Sequence, residues 1–312
     1  ESNFSAAGLH FYVKDRIIDR ISLQLRDWLP DLALLGRFDR ALFEELTGGD
    51  HRQSDDFWDY VVQQEWIELD RNAQRDEVWA VESHLRERLI AYYRDRDAAV
   101  LNLSRERASR ILRKITLERP FEKLTPAYFE ACLVLTRDMV EAAKWWGKVE
   151  AKLADAGRWD WGRSLTDLLL SDESVAGLPP DDKTSMFPLR PAILATHAAV
   201  NVHRSPERNQ SVWTEVLENY NRHPDPVGRA ILHYRAQAGQ IACVRYKAGV
   251  FKPNDFTGFT SQFPEAPSGD PQFVATALGM IENLIETLEN AEELDIAREV
   301  RPIRAQLPPV AP

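Results

Sequence analysis

Near residue 65 the apolar residues stop recurring at helical spacing, and by residue 85 they have resumed it. Before the switch, Ile17, Ile18, Ile21, Leu25, Trp28, Leu29 and Leu32 form one helical stripe. Pro30 lies near its end, where a kink or a restart of the helix is expected. A second helix is predicted within Arg37 to Leu46, with Asp39 as its N-cap and Gly48-Gly49 as its stop. A third is predicted from Ser54, with Asp55 and Asp56 placed against the helix dipole. Trp66 to Leu69 and Val78 to Val81 are rich in aromatic and β-branched residues and read as short strands, joined by a polar loop over 70–77. Ser83-His84-Leu85 then opens another helix.

Helix, helix, helix, hairpin, helix is the order of a winged helix. In a DNA reader of that type the third helix enters the major groove. Here that helix, Asp55 to Glu65, carries four acids and no Lys or Arg. The first hundred residues hold 13 Lys+Arg against 21 Asp+Glu, and the 312-residue chain has a net charge of −10. Such a face repels phosphate. A surface for protein packing is the expectation, and nucleic acid is disfavoured as a partner.

Three runs carry a family resemblance: Asp15 to Ile21, Leu34 to Leu46, and Gln63-Gln64-Glu65-Trp66-Ile67. Over about residues 10–95 the chain resembles the winged-helix domain of signal-transducing STAND NTPases, the apoptosome and nucleotide-binding receptor type of ATPase. The resemblance implies a module that follows an ATPase core, packs on bound ADP and does not read DNA. It also implies that His84, within Glu82-Ser83-His84-Leu85-Arg86-Glu87, contacts the ADP β-phosphate. The Met and Asp that flank that histidine in the family are absent here. Independently, a histidine just inside a helix N-terminus stands beside backbone N–H groups that suit a phosphate oxygen.

The ATPase core itself is not in this chain. The only Gly-Lys pair, Gly147-Lys148, is followed by Val149, and Ala142 stands where a phosphate loop has its first glycine. ADP or ATP therefore enters only if the parent protein carries such a core, and no cofactor is expected in the chain alone.

The remainder reads as helices. The fold class is mainly α: a winged-helix domain over residues 1–97, followed by a tetratricopeptide-like α-solenoid over 98–312. One helix is predicted to end at Pro120. Apolar spacing runs from Tyr128 to Ala156 with a break near Gly147, after Thr125 as cap and Pro126 in the first turn. Further helices are predicted over 158–171, 191–203, 205–220, 225–247, 271–289 and 291–306. No 34-residue signature repeats, so this is an architecture and not a defined repeat family. In STAND proteins a superhelical array after the winged helix is the usual sensor arm.

Four features offer binding surfaces. Residues 101–120 hold six Lys+Arg against two Glu, which fits an RNA, acidic-protein or phosphate contact, or more simply a solvated helix face offsetting the acidic region before it. Trp145, Trp146, Trp159 and Trp161 either line a groove for a partner or fill a helix-pair core. The long stretches 172–191 and 249–271 break the helical string. The second holds Phe251, Phe256, Phe259 and Phe263, which either pack beneath the loop or meet a partner.

Catalytic patterns are missing. No histidines are spaced for a helical zinc site and no H-E-x-x-H or G-x-S-x-G occurs. Cys132 and Cys243 sit in apolar runs and read as inert buried thiols. No metal site and no enzyme are expected. No apolar run is long enough to span a membrane and no secretory signal opens the chain, so a cytoplasmic location is expected. The leading expectation is a non-catalytic sensor region that binds a protein or peptide trigger and controls an associated ATPase or effector, with a role in bacterial antiviral defence signalling implied by the resemblance alone. The alternatives are a helical-repeat adaptor scaffolding an effector such as a protease, and a winged-helix transcription regulator.

Overall fold

The computed structural model describes residues 11–48, 51–70, 77–172, 187–201 and 206–225, with scattered positions between 228 and 240. The chain is mainly helical. Its described residues form two compact units. One holds the residues up to Lys152 with Ser171 and Asp172, and the other holds Leu153–Leu170 and those from Phe187 onward.

The first unit opens with a wide helical turn, Lys14–Ile18, whose Ile17 is buried. Helix α1, Leu23–Leu35, is capped by the Ser22 hydroxyl, which accepts the Leu25 N–H. Pro30 does not end it. The helix continues through Pro30, and Leu29 to Leu35 are all buried. Packing of that stretch on the helices that follow outweighs the lost backbone bond. Gly36, at φ +69°, ends α1 and turns the chain into β1, Arg37–Phe38. The sequence reading placed no strand here, ahead of the Asp39 cap, and two residues carry no period by which to see one.

Helix α2, Arg40–Thr47, follows the Asp39 cap as expected. The Asp39 carboxylate accepts the Leu42 N–H at 2.6 Å, and Gly48 closes the helix at φ +78°. Helix α3, His51–Val62, begins three residues ahead of the predicted Ser54 start. Strands β2, Ile67–Leu69, and β3, Trp79–Val81, match the two predicted runs. The three strands are antiparallel in the order β1-β3-β2, with Trp79 opposite both Phe38 and Leu69.

Helix α4, Ser83–Arg96, leads directly into α5, Ala98–Glu118, which ends before Pro120 as predicted. Helix α5 packs on α1, α2 and α4 and on α6, Pro126–Leu135. Thr125 precedes α6, but its carbonyl, not its side chain, meets the helix, accepting the Tyr128 N–H at 3.1 Å. The break between α6 and α7, Met139–Asp155, falls at 136–138 and not at Gly147. The Asp138 carboxylate accepts the Val140 and Glu141 N–H groups at 2.9 and 3.1 Å, and so caps a new helix. Gly147 lies mid-helix on the exposed side, with nothing within 4 Å of where a Cβ would stand.

In the second unit α8, Trp159–Leu170, packs on α9, Arg190–Val200, which packs on α10, Pro206–Asn219. A short turn of helix, Tyr220–Arg222, follows. Most of the predicted 225–247 helix, both later helices, the 249–271 stretch and most of 172–191 lie outside the described residues.

Candidate functional site

The inner side of α3 is apolar. Phe57, Trp58 and Val61 are buried, and Trp58 meets Phe38 edge-on at 6.1 Å and Phe43 at 5.4 Å. That packing fixes the helix rotation and turns Asp55, Asp56 and Asp59 to solvent. Arg40 pairs with Asp55 and with Glu44. The face where a groove reader needs cations is therefore acidic.

Four of the six cations of 101–120 pair with acids of the same unit. Arg107 pairs with buried Asp31, Lys114 with Glu45 at 3.0 Å, Arg119 with Asp39 at 3.4 Å, and Arg113 with Glu141. The guanidinium of Arg107 also lies 4.4 Å over the Trp28 ring. Burial pushes the Asp31 carboxyl above its ordinary range, with Arg107 opposing. Several of these pairs stand at partly exposed positions, as the simpler reading of a solvated face that offsets nearby acids expects.

His84 is exposed in the first turn of α4. The carboxylate of Glu82 accepts the His84 N–H at 3.1 Å and the Leu85 N–H at 2.7 Å. Glu82 thus occupies the backbone donors that a phosphate oxygen would use. The sequence reading missed this cap, although an acid two residues ahead of the histidine was the available signal. One turn further on, Arg86 is buried. It donates from Nε to the Ala33 carbonyl at 2.7 Å and from Nη2 to the Leu34 carbonyl at 2.9 Å. Sequence pattern did not mark Arg86, since an arginine in a charged run looks like any solvated one.

The four tryptophans have different surroundings. Trp145 and Trp146 are buried in the first unit. Trp145 donates its indole N–H to the Thr116 hydroxyl at 3.0 Å and lies 6.0 Å from the Phe129 ring. Trp159 and Trp161 belong to the second unit, Trp159 exposed and Trp161 half-buried. Phe251, Phe256, Phe259 and Phe263 lie outside the described residues. Among the described residues no group of three His, Cys, Asp or Glu is placed to hold a metal ion. Cys132 is buried, and burial pushes its thiol far above the ordinary range. No described helix is long and apolar enough to cross a membrane.

Comparison with known proteins finds no family, no curated protein and no solved structure that matches the chain.

Proposed function

We propose that this chain is a regulatory region that works by docking proteins: a winged-helix module followed by tetratricopeptide-like helix pairs. One observation carries the reading. A sheet of order β1-β3-β2 closes a set of helices whose third member turns three aspartates outward. Exposed Phe11, Leu23 and Leu103 add apolar area to the same unit. An acidic and apolar surface suits a protein partner better than duplex DNA.

Within that reading the chain is the sensor arm of a STAND-type ATPase. The module holds a resting arrangement, and the helix pairs bind a protein or peptide trigger that favours another arrangement. Because Glu82 already caps α4, any contact of His84 with ADP runs through its imidazole and not through the helix N-terminus.

The test is the reading frame upstream of Glu1 in the parent gene. A phosphate loop encoded there, together with ATP turnover that rises when this region is removed, supports the reading. A frame without that loop turns it into the adaptor reading. ADP affinity unchanged by His84→Ala removes the histidine from the site.

A further inference from the structure

Asp31 is fully buried, but the cation that answers it is not. Arg107 of α5 donates from Nε to Asp31 Oδ1 at 2.8 Å and from Nη2 to Oδ2, yet its side chain stays 38% exposed. Buried Ser104 bonds the same carboxylate, and the half-buried Trp28 ring lies 4.4 Å from the guanidinium carbon. These contacts take one edge and one face of the guanidinium. Its end edge, Nη1 with Nη2, points away from Asp31. A buried carboxylate paired in this way adds little stability, because its desolvation offsets the attraction. What the pair secures is position: the arginine has lost its rotamer freedom before anything binds it.

Arg107 does not stand alone on the outer side of α5. Leu103, one turn before it, is 66% exposed, and Val100 is also exposed. Arg110, one turn after it, is exposed and makes no ion pair or side-chain hydrogen bond among the described residues. Positions 103, 107 and 110 share one helix face. Arg113 and Lys114 continue that side, but they already pair with Glu141 and Glu45. Between Leu103 and Lys114 the one acid of the helix is Glu106.

We propose that this face of α5 docks an acidic amphipathic segment of a partner protein: its carboxylates meet Arg107 and Arg110, and an apolar side chain covers Leu103. Charge complementarity selects the occupant. Two outward guanidiniums beside an exposed leucine match carboxylates beside an apolar anchor, and a pre-positioned arginine is a frequent hot spot of protein interfaces. Nucleic acid needs a longer run of cations and gains little from the leucine, and the acidic α3 of the same unit opposes it. The inference rests on the protein-docking reading above for its class of partner, and adds to it a site and the partner's chemistry. It makes no use of an ATPase.

The probe is a synthetic peptide of about 20 residues, leucine along one helical face and glutamate along the other, titrated with the full chain by fluorescence anisotropy. Binding at about 10–100 μM is expected, and a counterpart with glutamine for glutamate is expected to bind about tenfold more weakly. Arg110→Gln and Leu103→Ser, both at exposed positions, should each weaken binding about fivefold or more with an unchanged unfolding midpoint. Asp31→Asn reads the positioning of Arg107: binding weakens about threefold while the unfolding midpoint at neutral pH does not fall. A peptide that binds Arg110→Gln and Leu103→Ser as tightly as the wild type overturns this site and leaves the protein-docking reading standing. Absence of binding to the wild type overturns the proposal too. So does tighter binding of single-stranded RNA than of the peptide at equal salt, which would assign this face to phosphate.

Discussion

The buried guanidinium of Arg86 lies against Gly36, so closely that a Cβ built there would stand 2.4 Å from Cζ. The two residues meet because Arg86 reaches the last carbonyls of α1, and Gly36 both ends that helix at φ +69° and lets β1 begin. The Gly36 carbonyl then accepts the Val81 N–H at 2.9 Å, which joins the helix end to β3.

Gly36→Ala is accordingly expected to cost about 2 kcal/mol or more, from the left-handed backbone and the displaced guanidinium. Arg86→Met leaves two buried carbonyls without these donors and costs about 3 kcal/mol. Because each change disturbs the same contact, the double variant loses less than the two singles combined. Urea unfolding with an unchanged slope measures all three. Additive losses would show that the contact does not couple the two residues.

A second prediction concerns acid and base behaviour in the first unit. Asp31 is fully buried in α1, and its Oδ1 accepts from Arg107 Nε at 2.8 Å. Burial raises its pKa more than Arg107 lowers it. Since the folded pKa lies above the unfolded one, this group's contribution is fully present below about 3.8. It is lost as pH rises through the folded value. Asp31→Asn is expected to flatten that part of the stability profile and to leave the protein no less stable at neutral pH. Arg107→Met, in contrast, strands the carboxylate. It should cost about 2 kcal/mol at neutral pH, less than a fully buried pair because Arg107 is partly solvated. Thermal melts across the acid range separate the two outcomes. A wild-type profile parallel to that of Asp31→Asn would refute the assignment.

What the sequence made legible follows from how local each signal is. Asp39, Gly48 and the Trp79 strand announce themselves within a few residues, through cap chemistry, a glycine stop and β-rich composition. The stop at 136–138 was misplaced because glycine at 147 is a louder local signal than the Asp138 cap, yet on an exposed helix face glycine costs only about 1 kcal/mol. Arg86, Asp31 and Arg107 were not legible, because their roles depend on partners some 50 to 76 residues away. The Glu82 cap is local but was less legible, because glutamate is not among the residues that usually cap a helix N-terminus and Ser83 stands beside it.

Duplex DNA provides a third prediction. With Asp55, Asp56 and Asp59 outward on α3 and Arg107, Arg113 and Lys114 of α5 paired with acids of the unit, the wild type is expected to show no retention by a duplex even at low salt. Replacing the three aspartates by lysine reverses the sign of that face. It is expected to create weak, sequence-independent binding that disappears as salt rises. Fluorescence anisotropy over a salt series reads both. Tight, sequence-selective binding by the wild type would return the transcription-regulator reading.

The tryptophans give the last prediction, because burial sorts a role in packing from a role in recognition. Trp146 is 1% exposed and Trp145 3%, and the latter's indole N–H is held by Thr116. Alanine at either position opens a cavity in the first unit and is expected to cost about 3–5 kcal/mol. Trp145→Phe should cost less, about 1–2 kcal/mol, through the lost hydrogen bond and a smaller void. Trp159 is 47% exposed at the start of α8. Its replacement by alanine should change stability by no more than about 0.5 kcal/mol. Denaturant midpoints rank the four variants. A Trp159→Ala loss as large as that of Trp146→Ala would mean that the exposed ring is covered in solution, and the surface assigned to it would have to be withdrawn.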